Sequence, residues 1–406
     1  MTDNRWAERW SRRGKLAAQR AASSRTPNPD MISFVFGDPD ADSLPLNEMA
    51  AAAESLAENK RVDALGYQDP IRGDELNEAL SIKLARDQGI TARPEQILVT
   101  SGGSGGLSLL CDMLLDPGDT ILIDAPAWMG ATGMFRLAGA SMVGVPIDDE
   151  GIDPAKVAET YDRLAAEGRT PKFLYTIPTF QNPAGVELSL DRRHELARVA
   201  DERNLLIVED DAYNDLRFRG EKKPTLYSLV KPGNAFFFGT LSKTIAAGLR
   251  LGYMVGPADI VATMARGAVD SLRNSYSAAL ADWFLRTGKL EEHIQELRKV
   301  YSEKSAHMLA ALEREMPAGT IWTEPNGGFF LWLTLPGHLT AVDLQADCRA
   351  VGVDYIPGPA FYGDGGGQHS LRLSYSAVSI EQIDEGIKRL AGVISAAQAK
   401  VAATAD

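Results

Sequence analysis

Two cysteines in 406 residues leave this chain without a disulfide framework. Cys111 and Cys348 have neither Cys nor His neighbours at ligand spacing, so no structural metal is expected, and the protein reads as reduced and intracellular. Long hydrophobic runs are missing as well. No stretch approaches the roughly 20 apolar residues of a membrane-crossing helix. No apolar leader core follows the first methionine, which makes the cytoplasm the expected compartment. Positive charge is in deficit, with 42 Lys and Arg against 55 Asp and Glu, a formal net charge of -13. Nucleic-acid binding, which depends on basic surface, is therefore not expected. Internal repeats, low-complexity tracts and linkers between modules are absent. The local exception is the first 25 residues, where seven Arg or Lys face two acids and Trp6 and Trp10 stand one helical turn apart. That segment predicts a short amphipathic helix resting on the body of the protein.

What is present is an alternation of short apolar runs, helical stretches and glycine-rich turns. With 45% hydrophobic residues the chain can build one large domain and a smaller partner. The alternation argues for an α/β fold with a mostly parallel sheet and a ligand at the strand ends. At one such end, Ala235-Phe236-Phe237-Phe238 runs into Gly239-Thr240-Leu241-Ser242-Lys243, with Arg250 seven residues after the lysine. Small hydroxyls at minus three and minus one and a guanidinium downstream would grip a phosphate while the amine reaches an aldehyde, as a Schiff-base cofactor requires. Another run, Ile97-Leu98-Val99-Thr100, enters Ser101-Gly102-Gly103-Ser104-Gly105-Gly106 and then a helix. Strand, glycine turn and helix start form an anion site from backbone N–H groups and the helix dipole. A third, Leu205-Leu206-Ile207-Val208, ends in Glu209-Asp210-Asp211. An acid buried there demands a cationic partner, and a protonated ring nitrogen is one.

Ser/Thr-x-Ser-Lys followed by Gly248-Leu249-Arg250-Leu251-Gly252-Tyr253 resembles the lysine signature of the class I/II aminotransferases, the fold-type I enzymes that use pyridoxal 5'-phosphate. Further segments resemble that family in the same order from about residue 31 to 380. The resemblance implies a large domain with a seven-stranded-type, mostly parallel sheet between helices, plus a smaller α+β domain. It divides the chain into an N-terminal arm over 1–45, which packs with the small domain and active site, a cofactor-binding domain over 46–288 and a small domain over 289–406. It implies that Lys243 carries the cofactor as an internal aldimine and then moves the substrate's α-proton. Ser104, Gly105, Thr240, Ser242 and Arg250 would hold the phosphate, Trp128 would stack on the ring, and Asp210 would pair with the ring nitrogen. Asn182, in Pro178-Thr179-Phe180-Gln181-Asn182-Pro183-Ala184-Gly185, and Tyr213 would bond the phenolic oxygen. Arg372, in Ser370-Leu371-Arg372-Leu373-Ser374-Tyr375, would bind the substrate carboxylate as a fork to two oxygens, with Gly37 letting the backbone pass close to substrate. Tyr67 would reach the phosphate of a partner subunit in a homodimer with shared sites. Arg13, Arg20 or Arg25 would meet a substrate side chain.

The implied reaction moves an amino group from an L-amino acid to a 2-oxo acid in two half-reactions. A lyase, decarboxylase, racemase or oxidase built on the same residues remains open, because the cofactor carries the chemistry. A transcriptional regulator would need an appended DNA-binding module, for which only some 30 residues precede the first matched segment. A catalytically dead scaffold is disfavoured by the presence of Lys243, Asp210 and Arg372.

Overall fold

The computed structural model describes residues 8–19, 30–66, 75–268 and 273–405. Its N-terminal part opens with α1 (Arg12–Ala18) and β1 (Ile32–Ser33), followed by α2 (Leu46–Glu58) and α3 (Glu75–Gln88). The central body then alternates β2 (Ile97–Ser101), α4 (Gly102–Leu114), β3 (Thr120–Ala125), α5 (Met129–Ala138), β4 (Ser141–Asp148), β5 (Gly151–Ile152), α6 (Pro154–Ala166), β6 (Phe173–Thr176), α7 (Leu190–Arg203), β7 (Leu206–Asp211), α8 (Leu226–Leu229), β8 (Ala235–Thr240), β9 (Leu251–Val255), α9 (Ala258–Gly267) and α10 (Ser275–Arg286).

These strands form one sheet in the order β2-β9-β8-β7-β6-β3-β4-β5. The pairs from β8 through β7, β6 and β3 to β4 are parallel, while β9 runs antiparallel to both its neighbours. The expected mostly parallel α/β sheet is borne out, with the two-residue β5 as an extra antiparallel edge. Its apolar runs are continuous because both faces are covered. Ile121 and Ile123 pack with residues of α4, α5 and α9, whereas Leu122 between them packs with residues of α6 and α7. Helix ends are set locally: Asp153 caps α6 ahead of Pro154, Ser189 caps α7, and Gly139 closes α5 at φ 90°.

The chain then crosses to a second body through the 27-residue α11 (Lys289–Glu315). β10 (Ile321–Trp322), β11 (Phe330–Thr334), α12 (Ala341–Ala350), β12 (Val353–Asp354), β13 (Ile356–Pro357), β14 (Ser370–Ser374) and α13 (Ile380–Ala405) follow. β10, β11, β14 and β13 make an antiparallel sheet against α11 and α13, and β12 pairs in parallel with β1, so the segment around residue 32 belongs to this body. The helix of the first segment departs from expectation. It begins at Arg12, because the Ser11 hydroxyl accepts the Gly14 N–H and caps it, so Trp10 precedes the helix. Arg12 donates to the last carbonyls of α5, and Arg13 pairs with Asp112 of α4 at 2.8 Å.

Candidate active site

The strand order reverses between β3 and β6, and the crevice at the carboxyl ends of the parallel strands is where an open α/β sheet holds its ligand. A cavity of about 470 Å³ lies there. Lys243 leaves the turn after β8, Asp210 is the next-to-last residue of β7, Asn182 follows β6, Trp128 follows β3, and the start of α4 follows β2. Gly37, Arg372, Phe330 and Ile356 come from the second body.

The lysine turn is braced from within. The Thr240 hydroxyl donates to the Leu251 carbonyl and accepts the Ser242 N–H, at 3.1 Å each. The Lys243 amine donates to the Gly37 carbonyl at 2.8 Å. Across the cavity, α4 starts without a side-chain cap, so its first N–H groups are left to a ligand or to water. Gly102, at φ +73°, opens this helix under the Arg250 guanidinium. A Cβ there would stand 2.9 Å from the Arg250 Nη2. Gly103, Ser104, Thr240, Ser242 and Arg250 line the cavity together, while Gly105 lies further into the helix and is not among the lining residues.

Asp210 accepts a 2.6 Å hydrogen bond from the Tyr175 hydroxyl. Burial pushes its carboxyl up to about 6, with the Tyr175 hydrogen bond and the Lys243 charge pulling the other way. Among the described residues, no cation lies in ion-pair contact with it. Tyr213 is buried between Phe329 and Phe330, whose rings meet it edge-on, and burial raises its hydroxyl's pKa. Asn182 lines the same cavity as Tyr213 and accepts from Arg372 Nη1 at 3.0 Å. Arg372 is 5% exposed, its guanidinium carbon 4.1 Å from the Phe330 ring centroid and 5.1 Å from that of Phe361. Its Nη2 donates to the Val35 carbonyl, and its Nε has no hydrogen-bond partner among the described residues. Burial lowers its pKa to about 10, and among the described residues no carboxylate lies in ion-pair contact with it. A buried guanidinium in that state is a receptor for a carboxylate.

The family profile described as "Aminotransferase class I and II" matches residues 29–390. The chain belongs to this aminotransferase family. It is 34% identical to the aromatic-amino-acid aminotransferase 1 of Thermococcus litoralis, over 90% of this chain and 88% of the relative. It is also 34% identical to the 2-aminoadipate transaminase of Thermus thermophilus, over 95% and 96%. Among solved structures, the Pyrococcus horikoshii kynurenine aminotransferase in complex with PMP superposes with a TM-score of 0.90 at 34% identity, covering 96% of this chain and 98% of that one. The fold is thus that of the fold-type I aminotransferases.

The structure brings Lys243, Asp210, Tyr213, Asn182, Trp128, Ser104, Thr240, Ser242, Arg250, Arg372 and Gly37 to one cavity. Tyr67, Arg20 and Arg25 lie outside the described residues. Sequence reasoning missed Tyr175, Phe330 and Phe361. Tyr175 sits one position before the end of β6, beside the strand that carries Asp210, and only the strand order reveals that adjacency. Gln181 was quoted in the motif without a role; its side chain donates to the Pro126 carbonyl at 2.7 Å, tying the loop after β6 to the one that carries Trp128.

Proposed function

We propose that this aminotransferase transfers the amino group of an L-amino acid to a 2-oxo acid in two half-reactions within this cavity, with pyridoxal 5'-phosphate as cofactor. The observation that carries the reading is the convergence on one cavity of Lys243, of Asp210 and of Arg372, the last two without an ion-pair partner among the described residues. The donor set fits the cofactor: an uncapped helix start with Arg250, Ser104 and Ser242 for a dianionic phosphate, an acid for a protonated ring nitrogen, and an amine for an aldehyde. Bound there, the cofactor supplies the carbon that receives the amino group and a ring that accommodates the charge left at the substrate's α-carbon.

The chain's own residues do the rest. Arg372 binds the α-carboxylate as a two-nitrogen fork, and Asn182 holds that guanidinium in place. The Lys243 amine would take up the proton from the substrate's α-carbon as general base and hold it for return during the same turnover. Asp210 would hold a protonated ring nitrogen, and Tyr175 keeps Asp210 aligned through its hydrogen bond. Tyr213 and Asn182 would hold the cofactor's phenolic oxygen, and Trp128 would supply an aromatic face for its ring.

The active unit is proposed to be a homodimer in which Tyr67 completes the partner's phosphate site. Val62 and Leu65, 79% and 81% exposed just before it, offer apolar surface for such an interface. A cytoplasmic setting agrees with two free, buried cysteines. Among the described residues, no helix is long and apolar enough to cross a membrane.

The test is to load the purified protein with pyridoxal 5'-phosphate and follow the cofactor absorbance as single amino acids are added. Loss of the band with some amino acids, and its return on addition of a 2-oxo acid, is the expected result. Amino-acid consumption without any return on 2-oxo acid addition would refute it.

A further inference from the structure

The aminotransferase reading, on which this inference rests, leaves the substrate's side chain without an assigned partner. Ile356 of β13 stands directly opposite Arg372 of β14, and opposed residues of an antiparallel pair project to the same face. Both line the cavity. Val35 is fixed to the same guanidinium through its carbonyl. An amino acid held by its α-carboxylate at Arg372 therefore meets Ile356 and Val35, with Phe36 and Met129 further along the lining. Met129, the first residue of α5, is 40% exposed and offers apolar surface that a bound side chain would cover.

This wall is apolar. Among the described residues, the cations lining the cavity are Lys243, Arg250 and Arg372, each with its own task, and the acids are Asp38 and Asp210. A side-chain carboxylate pressed against Ile356 would lose its hydration without gaining a cation, in a cavity that already holds like charge. An aromatic or aliphatic side chain would gain by burial what the carboxylate loses.

We infer that Ile356, with Val35 and Met129, forms a specificity wall that selects amino donors with neutral, apolar or aromatic side chains and rejects dicarboxylic ones. The experiment is isothermal titration of the cofactor-loaded enzyme with two unreactive acids, 3-phenylpropionate and glutarate, which share the carboxylate anchor and differ at the other end. 3-Phenylpropionate is expected to bind at least about tenfold more tightly, and Ile356→Ala to weaken it by roughly three- to tenfold, as removal of buried methylenes implies. Ile356→Arg should reverse the order. Met129→Arg adds the same charge at an exposed position and should raise glutarate affinity without a folding cost. Glutarate binding as tightly as 3-phenylpropionate to the unmodified enzyme would overturn the wall. Failure of both acids to bind would overturn it too. In that case, whether amino acids still bleach the cofactor band reports separately on the aminotransferase reading.

Discussion

Replacing Asp210 by asparagine should make the cofactor-free protein more stable while crippling the enzyme. The carboxylate lines the cavity with a tyrosine hydroxyl as its hydrogen-bond partner and, among the described residues, no ion-paired cation. Its pKa rises from 3.8 to about 6. Two decades at 1.36 kcal/mol per decade amount to about 3 kcal/mol of disfavoured charge, an upper value because the carboxylate borders a cavity open to solvent. The sign follows from proton binding. Between the two pKa values the native state holds more protons than the unfolded one, so stability falls as pH rises through that window, and the cost is complete above about pH 7. Asparagine keeps an oxygen for the Tyr175 hydroxyl and carries no charge. The cofactor-free Asp210→Asn protein should therefore be more stable by up to about 3 kcal/mol near pH 8 and by roughly half that near pH 5. With an unfolding entropy of about 2.1 cal/mol/K per residue over the 406-residue chain, the gain near pH 8 is a melting temperature about 3–4 °C higher. Calorimetry of both cofactor-free proteins at the two pH values measures this. Added cofactor should stabilise the unmodified protein more than the variant, and the variant's amino transfer should fall roughly 100-fold or more. A lower melting temperature for the variant near pH 8, or an equal gain at both pH values, would refute the reasoning that Asp210 awaits a cation.

Lys243→Ala should abolish the borohydride-fixed link between protein and cofactor, read by mass spectrometry of digested protein; a reduced adduct on another lysine would refute the assignment. Gly102→Ala would force a Cβ to within 2.9 Å of the Arg250 guanidinium at a positive φ. Cofactor affinity should fall by about tenfold or more, measured by equilibrium dialysis, as the charge-assisted contact to phosphate is displaced. Mixing Tyr67→Ala chains with Lys243→Ala chains should restore activity after subunit exchange if Tyr67 serves the partner's site, since one site of the mixed dimer then carries neither change. No recovery despite proven exchange would place Tyr67 elsewhere.

Much of this protein could be read along the chain, because its chemistry sits at strand ends and strand ends have local signatures. The Phe236–Phe238 run is apolar because both faces of β8 are covered, and the glycine and hydroxyls that follow belong to the turn that presents Lys243. The glycines of Gly102–Gly106 announced the turn from β2 into a helix for a similar local reason, since the φ of +73° at Gly102 favours glycine, whereas the arginine above it is a tertiary contact. The tertiary structure alone decided which strands lie side by side, and with that the partners that tune the site. Tyr175 meets Asp210 because β6 pairs with β7, and Ile356 stands beside Arg372 because β13 pairs with β14, contacts that join residues 35 and 16 positions apart. The sandwich of Arg372 between Phe330 and Phe361, and the tie of Val35 to that guanidinium across 337 residues, likewise exist only once the second body has folded. Single-residue identity is set by local backbone and burial demands, whereas the charge state of a buried group depends on every neighbour packed around it, and those neighbours are chosen by strand order rather than by sequence proximity.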